Sequence, residues 1–465
     1  MKKYFKILFV VGLSLTVFQS CANEDLEPTL AQSKDTEAGI QNSEDLRAVL
    51  IGGYDRMSHY FYYGRDYVIF GEVRSDNTFA DGNSNRFVGP AQFELLPTQA
   101  YVSDTWSQIY KVIGSANIVI NKDENALSGD KLLIQHTKAE ALAIRALAHF
   151  DLLKLYGQYQ VDKNMTALGV PYVTKFKDAD FIYPKRSTVQ ENYNSIIGDL
   201  NEALSLIPES LDDYSAHYIN KNVINALKAR VALHFGDYPT AATSAKLVID
   251  SGKYSIASKT DIAKTFFTDS TSNQIFSIAQ QSNKNSGING LNNIYALGSY
   301  GDVVALKNLY DLYESTDVRK AFLKADTKNT GAYRNIGKYP TRTYDDDIPV
   351  IRYEEVVLIY AESLLSSNPS EALVWLNKIP AARGASVYTS ANIANVLSER
   401  RKEFAFEGQR FWDLLRTGNA IPFVDTRQTF KATIPYGDTK LAFPIPSAEL
   451  GANANVVQNK GYSTN

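Results

Sequence analysis

Residues 222–249 read NVINALKARVALHFGDYPTAATSAKLVI, and the fold follows from how this stretch is read. Ala226, Ala229 and Leu233 recur at helical spacing before the turn Gly236-Asp237-Tyr238-Pro239, and Ala241, Ala245 and Val248 recur after it. Small residues on facing stripes let two helix axes approach closely, so the pattern predicts an antiparallel helical hairpin. A second pair has the same form: residues 351–365 carry Val357, Ile359, Tyr360, Ala361 and Leu364, and residues 370–379 carry Ala372, Leu373 and Leu376.

Both hairpins have the spacing and the Ala and Tyr usage of tetratricopeptide units, which are about 34 residues long and stack to share one core. Working outward, residues 132–156 place Ala139, Leu142, Ala146, Phe150 and Leu153 on one stripe, with Gly157 expected as a left-handed cap. Thr188 and Glu191 form a capping box ahead of Tyr193, Ile196, Ile197, Leu200 and Leu204. In residues 399–416, Phe404, Gly408, Phe411 and Leu415 follow helical spacing, so one amphipathic helix is expected, with Gly408 at a close contact. Glu399, Glu403 and Glu407 lie among Arg400, Arg401, Arg410 and Arg416, which reads as ion pairing rather than a catalytic carboxylate pair straddling a sugar.

Between the helices, residues 54–98 and 255–345 lack helical period, apart from a strand-like run at 274–279. Loops this long in a compact protein usually carry function. The expectation is one mostly α domain over 44–465, with tetratricopeptide-like helices mainly within 105–250 and 350–416. The loop-rich face is expected mainly at 54–98 and 255–345.

The 465 residues carry a net charge of −3 and a single cysteine. The acidic balance argues against nucleic-acid binding, and one cysteine excludes an internal disulfide or a multi-thiolate zinc site. Lys2, Lys3 and Lys6, then an apolar run, then Ser20 and Cys21 read as a lipoprotein signal peptide over 1–20, with Cys21 as the lipid-attachment residue. Acyl chains there would hold the protein on a membrane. Residues 21–43 are polar and acidic and read as a flexible tether.

Several segments in order resemble one family. They are Ala139-Glu140-Ala141, Arg145-Ala146 and Phe150-Asp151-Leu152; Arg186-Ser187-Thr188-Val189; Arg352-Tyr353-Glu354-Glu355-Val356 and Tyr360-Ala361-Glu362. They continue with Glu399-Arg400-Arg401-Lys402-Glu403 through Arg410-Phe411-Trp412-Asp413-Leu414-Leu415-Arg416, then Phe443-Pro444-Ile445-Pro446 and Gln458-Asn459-Lys460-Gly461-Tyr462. Together they resemble the SusD/RagB nutrient-binding lipoproteins of the Bacteroidetes outer membrane. The resemblance implies a SusD-like α-α superhelix of four tetratricopeptide-like pairs and no catalytic activity. It also implies a lipid-anchored protein facing the cell exterior, which captures oligosaccharides and delivers them to a SusC-like TonB-dependent transporter. One branch of the family implies a peptide receptor instead, and a scaffold that binds only a partner protein is a further alternative.

A sugar site needs aromatic platforms beside Asp, Asn or Arg that can bond neighbouring hydroxyls. Two stretches qualify. The first runs from His59-Tyr60-Phe61-Tyr62-Tyr63 to Arg74, Asp76, Asn77, Phe79, Asp81, Asn83 and Arg86; the second holds Asn292, Asn293, Tyr295, Tyr300 and Asp302. The ligand-binding candidates are Tyr62, Tyr63, Asp76, Asn77, Phe79, Asp81, Arg86, Tyr295 and Tyr300. The five histidines have no metal-ligand spacing, so no metal or other cofactor is expected. Asp345, Asp346 and Asp347, or residues 76–85, offer oxygens to calcium but fit no EF-hand loop, and a solvated acidic turn is the expectation there.

Overall fold

The computed structural model describes residues 39–176, 183–296 and 299–463. The expected signal peptide, Cys21 and most of the expected tether lie outside the described residues. Ile40 and Ser43, within the expected tether, are buried against the body.

Helices dominate. Those that form the scaffold are α1 (Ser43–Met57), α2 (Asp66–Val73), α3 (Ala100–Asn121), α4 (Lys131–Tyr156), α5 (Val189–Leu206), α6 (Lys221–His234), α7 (Tyr238–Asp250), α8 (Tyr353–Ser363), α9 (Pro369–Arg383), α10 (Ile393–Glu403) and α11 (Arg410–Arg416). From α3 to α9 each helix packs on the next, and α1 lies against both α3 and α4, which is the stacking expected of tetratricopeptide-like pairs. In the α6/α7 hairpin, Ala226, Ala229, Ala241 and Ala245 have no exposed surface, as close axis approach requires. Helix α4 is buried on nearly every face from Ala139 onward and forms the centre of the stack. The capping box opens α5 as expected: the Thr188 hydroxyl accepts from the Glu191 N–H and the Glu191 carboxylate from the Thr188 N–H.

Two local expectations fail. Gly157 ends α4 with φ −74° and ψ 157°, extended rather than left-handed. The segment expected as one helix over 399–416 is α10 and α11 with a break between them, where Phe406 and Gly408 take φ of 70° and 74°. The apolar stripe survives the break because Phe404, Phe411 and Leu415 all reach the core. Close contact explains the glycine: a Cβ on Gly408 would lie 2.7 Å from the Val68 carbonyl oxygen of α2.

The acidic residues of this segment are ion-paired, though mostly to arginines from elsewhere. Glu403 accepts from Arg319, Arg352 and Arg383, and Glu407 from Arg352 and Lys338, all of them buried cations. Glu399 accepts from Arg319 and pairs with Lys402. This network locks α8, α9 and α10 to the loop region.

Among the described residues the loop-rich side contains two small sheets. Strands β2 (Gln274–Ile278), where a strand was expected, and β6 (Ile348–Arg352) pair antiparallel. Strands β1 (Thr78–Ala80), β3 (Val303–Ala305), β4 (Leu323–Ala325) and β5 (Tyr333–Asn335) form a second sheet in the order β1-β3-β5-β4. Its register sets Phe79 opposite Val304, and the joined strands carry their flanking loops into one place. Among the described residues no helix is long and apolar enough to cross a membrane.

Candidate functional site

The β1–β3 pairing brings the two predicted stretches together. The Asp81 N–H donates to the Asp302 carbonyl at 2.9 Å, extending the ladder into the loops. Ser84 caps the Asp302 carboxylate from its N–H at 2.7 Å and its hydroxyl at 2.6 and 2.8 Å. Asn83 donates its amide to the Tyr300 carbonyl at 2.5 Å. Arg86 lies over the Tyr300 ring, with its guanidinium carbon 3.8 Å from the centroid, and donates to the Ser84 hydroxyl at 2.7 Å. Arg86 and Tyr300 are half-buried, and Asn83 and Asn85 are exposed. The result is a shelf in which a cation, an aromatic ring and two exposed asparagines lie together.

Asp81 anchors the shelf from below. Its side chain is only 3% exposed and faces Arg334 at 3.4 Å and Lys328 at 3.5 Å. Lys328 reaches back to the Asn83 side-chain oxygen at 2.7 Å with much of its own side chain in solvent. The 326–331 turn therefore forms one wall.

The first stretch also holds an aromatic cluster. His59, Tyr60 and Phe61 are half-buried, with His59–Tyr60 rings 4.4 Å apart and stacked, and Tyr60–Phe61 rings 4.4 Å apart and edge-on. Beneath the surface, buried Arg65 lies with its guanidinium 4.8 Å from the Tyr60 centroid and 5.5 Å from that of buried Phe87, next in chain to Arg86. Arg65 also donates to the Asn289 side chain at 3.3 Å. Burial, helped by the charges of Lys111 and Arg65, holds the His59 imidazole below its ordinary value, so at neutral pH it is an uncharged ring.

Of the candidates, Arg86 and Tyr300 face the shelf and Asp81 supports it with a buried carboxylate; the other six are buried and committed to the fold. The Tyr62 and Tyr63 hydroxyls each donate to Asp151 on α4 at 2.7 Å, and Tyr67 donates to the other oxygen of the same carboxylate. Asp76 is held between Arg410, at 2.7 Å, and Arg401, at 3.1 Å. Burial opposes its ionisation, but the two guanidinium charges outweigh this and keep its carboxyl below the usual range. Asn77 accepts from Arg401 at 2.8 Å and has no exposed surface. Phe79 packs with Val304, Leu306 and Ala332, and Tyr295 lies parallel to Tyr339 and edge-on to Phe406 in the core. None of these six offers a surface to a ligand.

The acidic run is not a solvated turn either. Asp346 and Asp347 are buried: Asp346 accepts from the Thr341 N–H at 2.7 Å, and Asp347 accepts from the Gln280 N–H at 3.0 Å. A short run of acids between loops carries no sign in sequence of which backbone donors will cover it.

Residues 25–233 match a family model described as starch-binding and associating with the outer membrane, and residues 333–462 match the model of the SusD family. The chain belongs to the SusD/RagB family. Among its SusD/RagB relatives, SusD-like protein P2 of Formosa agariphila is 27% identical, with 99% of this chain and 100% of that protein aligned. A crystal structure of a SusD superfamily protein from Bacteroides thetaiotaomicron has a TM-score of 0.82 at 28% identity, covering 90% of this chain and 99% of that one. A laminarin-binding SusD-like protein shares the fold, with a TM-score of 0.76 at 23% identity over 91% of this chain and all of that one.

In this SusD/RagB chain, sequence reasoning passed over Arg65, Asn289, Lys328 and Asn329. Asn329 donates to Asp326 at 2.8 Å and shapes the wall beside the shelf. The run Asp326-Thr327-Lys328-Asn329-Thr330-Gly331 has turn composition and marks this loop tip in retrospect; Arg65 and Asn289 carry no such sign.

Proposed function

We propose that the protein is a glycan-binding lipoprotein of the outer membrane that captures oligosaccharides on the Arg86–Tyr300 shelf. The observation that carries this reading is the convergence of two distant polar and aromatic loops on one edge of a rigid scaffold, in a chain matching a family model described as starch-binding. The laminarin-binding protein of the same fold lends support. A pyranose presents a flat C–H face to the half-buried Tyr300 ring on the side away from Arg86, while Arg86, Asn83 and Asn85 offer N–H groups to adjacent hydroxyls. Ring contacts contribute about 0.5–1.5 kcal/mol each and preformed hydrogen bonds about 1 kcal/mol each, which gives affinities suited to capture and release. The reading is of a protein that binds glycan and does not cleave it, as the SusD-like relatives that bind carbohydrate support.

Lipid on Cys21 holds the body at the outer face of the outer membrane, and a SusC-like TonB-dependent transporter receives the captured oligosaccharide. Calorimetry with starch and laminarin oligosaccharides among a wider glycan panel tests the site. The triple variant Asn83→Ala, Arg86→Ala, Tyr300→Ala loses at least tenfold in affinity for the glycan bound by the parent while its melting temperature holds. Unchanged affinity in that variant refutes the site, and release of reducing ends from any polysaccharide refutes the non-catalytic reading. Co-purification after mild detergent extraction tests the transporter partner: a TonB-dependent barrel is expected, and its absence counts against delivery.

A further inference from the structure

Away from the glycan shelf, three metal-ligating side chains of different segments meet. His217 lies in the chain entering α6, Asp269 in the loop before β2, and Asp347 immediately before β6. One donor atom from each lies within 4.8 Å of the other two. His217 Nε2 is 2.5 Å from Asp347 Oδ2.

We infer that His217, Asp269 and Asp347 bind a divalent transition-metal ion of the zinc class. One imidazole nitrogen with two carboxylate oxygens is a donor set that suits such ions; calcium instead collects six to eight oxygens. The carboxylate of Asp347 is already oriented: Oδ1 accepts the Gln280 N–H at 3.0 Å, leaving Oδ2 turned to the histidine. Backbone support of this kind is what fixes ligands in metal sites. Two carboxylates this close repel each other, and a cation between them relieves that repulsion more fully than one imidazolium does.

The surroundings leave room for more ligands. His217 stands in the wall of a cavity of about 340 Å³ shared with Tyr54, Tyr218, Ser277 and Lys284. Three protein ligands leave open positions on a zinc-class ion, which water can fill. Asp269 is exposed, so an ion can enter from solvent and be closed off by a single side chain. The site is built from residues outside the glycan shelf and stands or falls independently of it.

The test is calorimetric titration of the full chain, stripped with chelator, with zinc chloride and separately with calcium chloride. One zinc ion per chain is expected, with calcium failing to compete. Asp269→Asn changes an exposed side chain and leaves the fold intact; it and His217→Gln each weaken zinc binding by about 10–100-fold. Cobalt added to the parent gives the intense visible absorption of a site with few ligands, and His217→Gln loses it. Absence of saturable zinc binding, equal binding of calcium, or an affinity unchanged in both variants overturns the assignment.

Discussion

Replacing Asp151 with alanine removes the acceptor that three buried tyrosines share. Tyr62 and Tyr63 donate to one carboxylate oxygen at 2.7 Å, Tyr67 donates to the other, and the Lys154 ammonium lies 3.3 Å away. All four partners are 8% exposed or less, so no water can substitute. Burial, reinforced by the Asp151 charge, pushes all three phenols well above their ordinary value and keeps them as donors at any working pH. A hydrogen bond to a charged group contributes about 1.5–3 kcal/mol, and a buried donor left unpaired costs about 1–3 kcal/mol. Loss of the shared carboxylate is therefore expected to cost about 5 kcal/mol, against about 1–1.5 kcal/mol for any single tyrosine changed to phenylalanine. Urea unfolding followed by tryptophan fluorescence measures both. Coupling is the signature: with all three tyrosines already phenylalanine, Asp151→Ala costs far less than in the parent. If Asp151→Ala leaves the urea midpoint in place, the structural role is wrong. If Tyr62→Phe and Tyr63→Phe lose glycan affinity at unchanged stability, these tyrosines belong to the ligand site after all.

Three other perturbations probe the same account. His136 bonds Glu140 at 2.8 Å and Asp212 at 3.1 Å; burial opposes its charge, but the two carboxylates outweigh it and raise its pKa from 6.5 to about 9. A raised histidine stabilises fully below pH 6.5 and loses that contribution as pH rises through about 9, so the melting temperature falls over this window and His136→Gln flattens the fall; an equal fall in the variant contradicts the assignment. Gly408→Ala sets a Cβ 2.7 Å from a backbone oxygen at a φ of 74°, and is expected to lower stability by about 2–4 kcal/mol in the same urea assay. Glu403→Gln leaves Arg319, Arg352 and Arg383 short of a buried counter-charge and is expected to cost about 3–5 kcal/mol; a neutral result removes the network from the account.

The helical scaffold was legible in sequence because its signals are local. The small-residue stripes of residues 222–249 and the Thr188/Glu191 box need only neighbours a few positions away, and both read correctly. The break between α10 and α11 was hidden because Phe404, Phe411 and Leu415 keep helical spacing while the chain between them turns through Phe406 and Gly408 to meet α2. The loop face was legible in outline only. That two loops more than 200 residues apart, at 81–86 and 299–302, form one shelf depends on β1–β3 pairing between strands of three residues, too short to announce themselves. The tyrosine-rich run misled for a related reason: Tyr62 and Tyr63 look like platforms until Asp151, far along the chain, supplies their partner. Composition identifies a residue able to stack on sugar, but only tertiary contacts decide whether its face is free.

The central claim is that ligand binds on the Arg86–Tyr300 shelf and not through the buried tyrosines. Calorimetry on two variants with the same glycan decides it. The account predicts that Arg86→Ala with Tyr300→Ala abolishes or sharply weakens binding while the melting temperature holds, and that Tyr62→Phe with Tyr63→Phe lowers stability while affinity holds. The reverse pattern, with binding kept in the first variant and lost in the second, contradicts it.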